Sequence, residues 1–129
     1  MSERETIHTD QAPKAIGPYS QAVVAHGFVF CSGQIGLTPE GERVVGGVAA
    51  EARQTLENLR RVLEAAGSGL ERVVKVTIYL ADMADFAAVN AVYSEYFPED
   101  PPARAAVAVR QLPKDFLVEM DAIALVGRG

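Results

Sequence analysis

Val48-Ala-Ala-Glu51-Ala-Arg-Gln54-Thr-Leu56-Glu-Asn58-Leu59-Arg-Arg-Val-Leu63-Glu-Ala-Ala66-Gly67, followed after a short connection by Val73-Val-Lys-Val76-Thr-Ile-Tyr79-Leu80, decides the fold of this 129-residue chain. In the first piece Ala52, Leu56, Leu59, Leu63 and Ala66 recur at the helical period and share one face. Glu51, Arg53, Glu57, Arg60, Arg61 and Glu64 are expected to turn mostly outward. Gly67 suits the residue that ends such a helix. The second piece alternates as a strand, with Val74, Val76, Ile78 and Leu80 expected on one face and Val73, Lys75, Thr77 and Tyr79 on the other. Downstream, Asp82 or Asp85 can cap a second helix running to about Phe97, with Phe86, Val89, Tyr93 and Tyr96 as its apolar stripe and Pro98 as its stop. Ala103 to Val109 and Phe116 to Val126 read as two final strands joined by a turn at Leu112-Pro113-Lys114-Asp115. Upstream, Thr6 to His8 can be a short strand, and Gly17-Pro18 is a turn that positions Tyr19. Ser20 to Ala25 and Phe28 to Ser32 form a hairpin about His26-Gly27, and Gly33 to Gly47 is a loop with one short extended piece. The order is that of an α+β domain, with both helices on one face of a mixed sheet. The strands carry apolar residues in both alternation classes, so the other sheet face also needs cover, and a further copy of the chain supplies it most economically.

Length and composition narrow the function. The chain has the size of one domain, taken as residues 1–129, and its 49% hydrophobic and 22% charged residues are ordinary for a globular protein. The net charge of −5 opposes non-specific binding to nucleic acid. A single cysteine, Cys31, allows no internal disulfide, and His8 and His26 lack clustered partners, so no metal site is expected. The charged Met1-Ser-Glu-Arg-Glu-Thr start lacks the apolar run of a signal peptide, and no segment is long enough to span a bilayer. A cytoplasmic location is the default expectation.

Nucleotide-loop, zincin and nucleophile-elbow signatures are missing. Cys31 lies inside the apolar Phe28-Val-Phe-Cys31 run and reads as a buried thiol rather than a nucleophile. Ser32 stands beside Gly33, where a backbone can approach a ligand closely, although its hydroxyl could equally satisfy the local turn. Arg104 is the one charge between Pro101 and Val109. A guanidinium in an apolar strand needs an anion. Either Glu119, in what reads as the facing strand, supplies it as a plain salt bridge, or a ligand carboxylate does so through a bidentate fork.

Pro102-Ala-Arg104-Ala-Ala106-Val-Ala-Val-Arg-Gln-Leu112-Pro-Lys-Asp-Phe-Leu-Val118-Glu119-Met120 resembles the C-terminal signature of the RidA (YjgF) reactive-intermediate deaminases, including the interval from Arg104 to Glu119. Three further blocks agree in order and spacing: Ala12 to Ala22 with Gly17-Pro18-Tyr19, Phe30-Cys-Ser32-Gly33-Gln34-Ile35, and Phe86 to Tyr93 with Asn90. With the Gln54–Asn58 helix segment, the resemblance covers almost the whole chain. It implies a chorismate-mutase-like α+β fold of the bacillary type, and a homotrimer whose sheets form a central β-barrel with three clefts between neighbouring subunits. It also implies cofactor-free hydrolysis of reactive enamines and imines (2-aminoacrylate with its tautomer 2-iminopropanoate, and 2-iminobutanoate) to 2-keto acids and ammonia. By the same resemblance Arg104 holds the substrate carboxylate and Glu119 orients or activates water. Tyr19 and Ser32 line the cleft, and Asn90 stands near the subunit interface. The position of Ala106 often carries cysteine in the family. A backbone carbonyl contact there would survive the change, whereas a thiol-dependent role would not. Other small enamines (3-aminoacrylate or an aminomuconate), non-catalytic keto-acid binding, and RNA cleavage or translation inhibition are alternatives within the same scaffold. The last is disfavoured by the net charge and the lack of a basic stripe.

Overall fold

The computed structural model of the chain describes residues 3–127. Its strands are β1 (Arg4–Ile7), β2 (Ala22–Ala25), β3 (Phe28–Gln34), β4 (Val73–Leu80), β5 (Ala103–Ala108) and β6 (Val118–Leu125), and its helices are α1 (Gly47–Ala65) and α2 (Phe86–Tyr96). They make one six-stranded mixed sheet in the order β1-β2-β3-β6-β4-β5, with the two helices packed on one of its faces and on each other. The β2–β3 hairpin turns on His26 and Gly27, both at positive φ, which suits the right-handed twist of paired strands. Gly67, with φ of 81°, follows α1 in the left-handed conformation that ends many helices. The Gly33–Gly47 stretch holds one short ladder, Leu37 opposite Arg43.

Leu56, Leu59, Val62 and Leu63 of α1 are fully buried against Val29, Val76, Ile78, Val118 and Met120 of the sheet. Three sequence expectations need correction. Val73, not Val74, enters the core, because the β4–β6 register shifts between Val73 and Lys75 and turns Val74 outward. Glu51 is buried rather than solvated, because the connection before β6 needs its carboxylate (described below). The strands carrying Arg104 and Glu119 do not face each other. Crossing over through α2 lays β5 parallel to β4, while β6 runs antiparallel between β3 and β4, so β4 separates the two residues.

The sheet face away from the helices exposes Phe28, Phe30, Val107 and Leu125, beside a polar group made of Tyr79, Glu119 and Asp121. The expected second apolar face is therefore present. β5 is one of the two edge strands, so alternate backbone groups along it point away from β4 with no strand of this sheet to receive them.

Candidate active site

Glu119 alternates with buried Val118 and Met120 on β6 and so projects from the outer sheet face, opposite Tyr79 of β4. It enters a cleft of about 320 Å³ lined by Pro13, Ile16, Tyr19, Gly33, Ile35 and Leu37, with Lys14 and Lys114 also at its walls. Burial raises the Glu119 carboxyl above the ordinary carboxylate range, and the charge of nearby Asp121 adds to the effect. Gly33 makes the approach possible: a Cβ there would stand 2.0 Å from Glu119 Oε2.

Tyr19 stands at the wall of the same cleft. Its N–H donates to Gly17 O at 2.8 Å, closing the Gly-Pro turn, and its ring lies half exposed at the wall. Ser32 is the chain neighbour of Gly33, and its hydroxyl donates to Ser20 O at 2.6 Å. The hydroxyl thus fastens the β2–β3 entry, while its oxygen can still accept a bond.

Arg104 sits on the opposite, helix-side face. Its Nη1 donates to Asn90 Oδ1 at 2.6 Å, and its guanidinium lies over the rings of Tyr93 (4.9 Å) and Phe86 (5.4 Å) of α2. Asn90, Tyr93, Ser94, Phe97 and Arg104 line a second cleft of about 420 Å³ with Pro101 and Pro102. Arg104 makes no ion pair with Glu119 in the chain: its register partner on β4 is Val76, and that of Glu119 is Tyr79. The two are two strands apart, roughly 10 Å across the sheet, and offset by roughly another 10 Å along it. The internal salt bridge weighed from the sequence is absent. Asn90 accepts from one guanidinium nitrogen beside the two rings, and among the described residues no acceptor meets Nη2 or Nε, a side-on pair. Ala106 follows on the same face of β5, half-buried against the core.

Burial pushes the Cys31 thiol up to about 12, with Asp121 contributing, and the side chain is buried, so a thiolate nucleophile is not available there. Among the described residues no group of three or more His, Cys, Asp or Glu side chains could hold a metal, and no helix is long and apolar enough to cross a membrane.

Three supporting residues escape a reading of sequence alone. Gln21, buried, accepts from Thr9 N–H and donates to Thr9 O and Pro13 O, and so fastens the segment that forms one cleft wall. Asn58 donates to Ile35 O and Leu37 O from α1, and Glu51 accepts from Leu117 N–H. The available signal was the position of Asn58 on the apolar side of α1, next to Leu59. A buried amide there implies backbone groups to serve.

Comparison with known proteins agrees with this geometry. The family profile described as Endoribonuclease L-PSP matches residues 9–126. A RutC family protein of Pyrococcus horikoshii is 56% identical over 122 residues, 94% of this chain and 97% of its own. The 2-iminobutanoate/2-iminopropanoate deaminase of Homo sapiens is 50% identical over 125 residues, 96% of this chain and 91% of its own. The crystal structure of E. coli TdcF with bound serine superposes with a TM-score of 0.90 at 41% identity, covering 97% of this chain and 99% of that one.

Proposed function

The chain belongs to the RidA/YjgF/L-PSP family and has its chorismate-mutase-like α+β fold, and from that premise we propose that it hydrolyses small 2-imino acids and their enamine tautomers to 2-keto acids and ammonia. The observation that carries this reading is Glu119: a half-buried carboxyl raised above its ordinary range, held against Gly33 in a mostly apolar cleft. A carboxyl whose pKa is raised toward neutrality can take a proton and return it within one turnover.

The reaction needs little more. An imine carbon is already electrophilic. On an imine protonated at nitrogen, Glu119 orients a water and accepts one proton from it as the oxygen bonds to C2. The C=N π pair moves to nitrogen, giving a neutral carbinolamine. Glu119 returns its proton to that nitrogen, and the C–N bond breaks with its electron pair leaving on ammonia. As it breaks, the carbinolamine hydroxyl gives its proton to Glu119 and its O–H pair closes the C2 keto group. Ammonia then takes that proton and leaves as ammonium, so the carboxylate is restored. The Nε/Nη2 fork of Arg104 holds the substrate carboxylate, and fixing the two reactants supplies most of the advantage. In this reading Tyr19 offers its hydroxyl at the cleft wall, Ser32 supports the wall from beside Gly33 through its bond to Ser20 O, and a β5 backbone carbonyl at Ala106 accepts from the substrate nitrogen.

Because Arg104 and Glu119 lie on opposite faces of one sheet, this reading takes the arginine from a neighbouring copy. The reading therefore includes a homotrimer with three shared clefts, and the exposed apolar outer face of Phe28, Phe30, Val107 and Leu125, which such an assembly would cover, supports it. The related proteins named as imine deaminases at about 50% identity favour the same chemistry. The serine bound in the related TdcF structure is itself a small amino acid with a carboxylate. That observation also favours a second reading, in which the site binds small acids without turning them over.

A threonine dehydratase reaction followed at the imine absorbance separates the two. Wild-type protein is expected to speed the decay of the imine into 2-ketobutyrate, and Glu119→Gln to remove about 10²-fold or more of that acceleration while 2-ketobutyrate still binds. Unaltered decay with wild-type protein leaves the binding reading.

A further inference from the structure

Lys114 (φ 55°) and Asp115 (φ 57°) are consecutive non-glycine residues in the left-handed region, in the connection from β5 to β6. L-residues avoid this conformation unless something holds them in it, and such sites cluster around function. The holder here is Arg43. Its Nη1 donates to Lys114 O at 2.8 Å, its Nη2 donates to Asp115 O at 2.8 Å, and its guanidinium lies 4.0 Å from the centre of the Phe116 ring. The same Nη2 reaches Glu51 Oε2 at 3.3 Å, and the other oxygen of Glu51 accepts from Leu117 N–H at 2.8 Å. One ion pair therefore grips the backbone at 114, 115 and 117, two residues short of Glu119. Pro113 and Lys114 of the gripped segment line the Glu119 cleft.

The elements presenting the pair are themselves well built. Arg43 ends a tight turn closed by Thr38 N–H on Glu42 O and pairs across it with Leu37. Glu51 projects from the first turns of α1, where Gly36 lets the chain come close, since a Cβ on Gly36 would stand 2.9 Å from Glu51 Cγ. Glu51 is only 3% exposed. A buried carboxylate with one cation adds little stability over an apolar replacement, so its value is geometric.

We infer that Arg43 and Glu51 are positioning residues that hold Lys114 and Asp115 of the Pro113–Leu117 connection in the left-handed conformation and so shape the wall of the Glu119 cleft for the bound substrate. Neither touches the reacting atoms. The kinetic part of this inference rests on the deaminase reading above, whereas the backbone part does not.

The test combines kinetics, amide exchange and a rescue. Arg43→Ala is expected to raise KM for 2-iminobutanoate by roughly tenfold, with kcat falling less, and to speed hydrogen exchange at the Leu117 amide. Glycine adopts positive φ freely. Arg43→Ala combined with Asp115→Gly should therefore regain most of the KM, which a general loss of stability would not do. Should Arg43→Ala fail to fold, Arg43→Lys keeps the charge beside Glu51 but cannot span two carbonyls, and it carries the same expectation. Wild-type KM and unchanged Leu117 exchange in the Arg43 variant, or no recovery from Asp115→Gly, would overturn the inference. If the wild-type protein hydrolyses no imine, the deaminase reading fails, and Leu117 exchange alone decides whether Arg43 grips the segment.

Discussion

Glu119 faces two opposing demands, and both can be measured. Burial and Asp121 hold its carboxyl up, so the folded chain resists an ionisation that the unfolded chain accepts at the ordinary value of about 4.3. Below that value both states carry the proton and the residue is neutral in its effect. As pH rises from there through the elevated folded value, the unfolded state ionises first, and stability is lost. Glu119→Gln removes this loss, so its melting temperature should exceed that of wild type at about pH 8 and equal it at about pH 3. A thermal scan at the two pH values checks the sign. Gly33 tests the same residue sterically. A methyl group 2.0 Å from Oε2 must push the carboxylate aside. The end of a side chain yields at small cost in stability, but a shift of about 1 Å can cost about 10²-fold in rate. Gly33→Ala is expected to melt near wild type and to lose that much in kcat/KM.

At the scale of elements, α1 is both a wall of the core and a bracket for the cleft. Asn58 holds the carbonyls of Ile35 and Leu37, and Gln54 donates to Asn58 in turn. Asn58→Ala leaves the Leu37 carbonyl without its donor, while Ile35 O keeps the Leu37 N–H, and should lower stability by about 1–2 kcal/mol, measured by urea unfolding at fixed protein concentration. The helix itself was legible from its 3.6-residue period, and it runs Gly47–Ala65 where the sequence suggested Val48–Ala66. Glu51 was not legible, because the N–H it serves belongs to Leu117, far along the chain, and a local pattern reads any glutamate as solvated. For the same reason Arg104 and Glu119 looked like facing neighbours. The later strands announce themselves by composition and alternation, whereas β1, suggested at Thr6–His8, runs Arg4–Ile7, and the insertion of β6 between β3 and β4 depends on long-range pairing that no local window contains. The outer apolar face was readable because alternation needs no partner: Phe28 and Phe30 stand out of phase with Val29 and Cys31.

The whole molecule poses the question of how many chains make one site. A mass near three times 13.8 kDa by light scattering is expected. Subunit mixing asks more. Arg104→Ala and Glu119→Gln proteins should each be nearly inactive alone. Refolded together in equal amounts, they should recover about a quarter of wild-type activity, since about one cleft in four then draws an intact residue from each neighbour. No recovery on mixing would place both residues' work within a single chain. The separation of Arg104 and Glu119 on opposite faces of the sheet has a consequence for how the protein behaves in a dilute solution. If each cleft is assembled from two copies, a lone chain is complete in its fold yet holds only half of every site. Turnover per chain then becomes a function of how many chains are present, falling on dilution past the point where trimers part and returning when the solution is concentrated again.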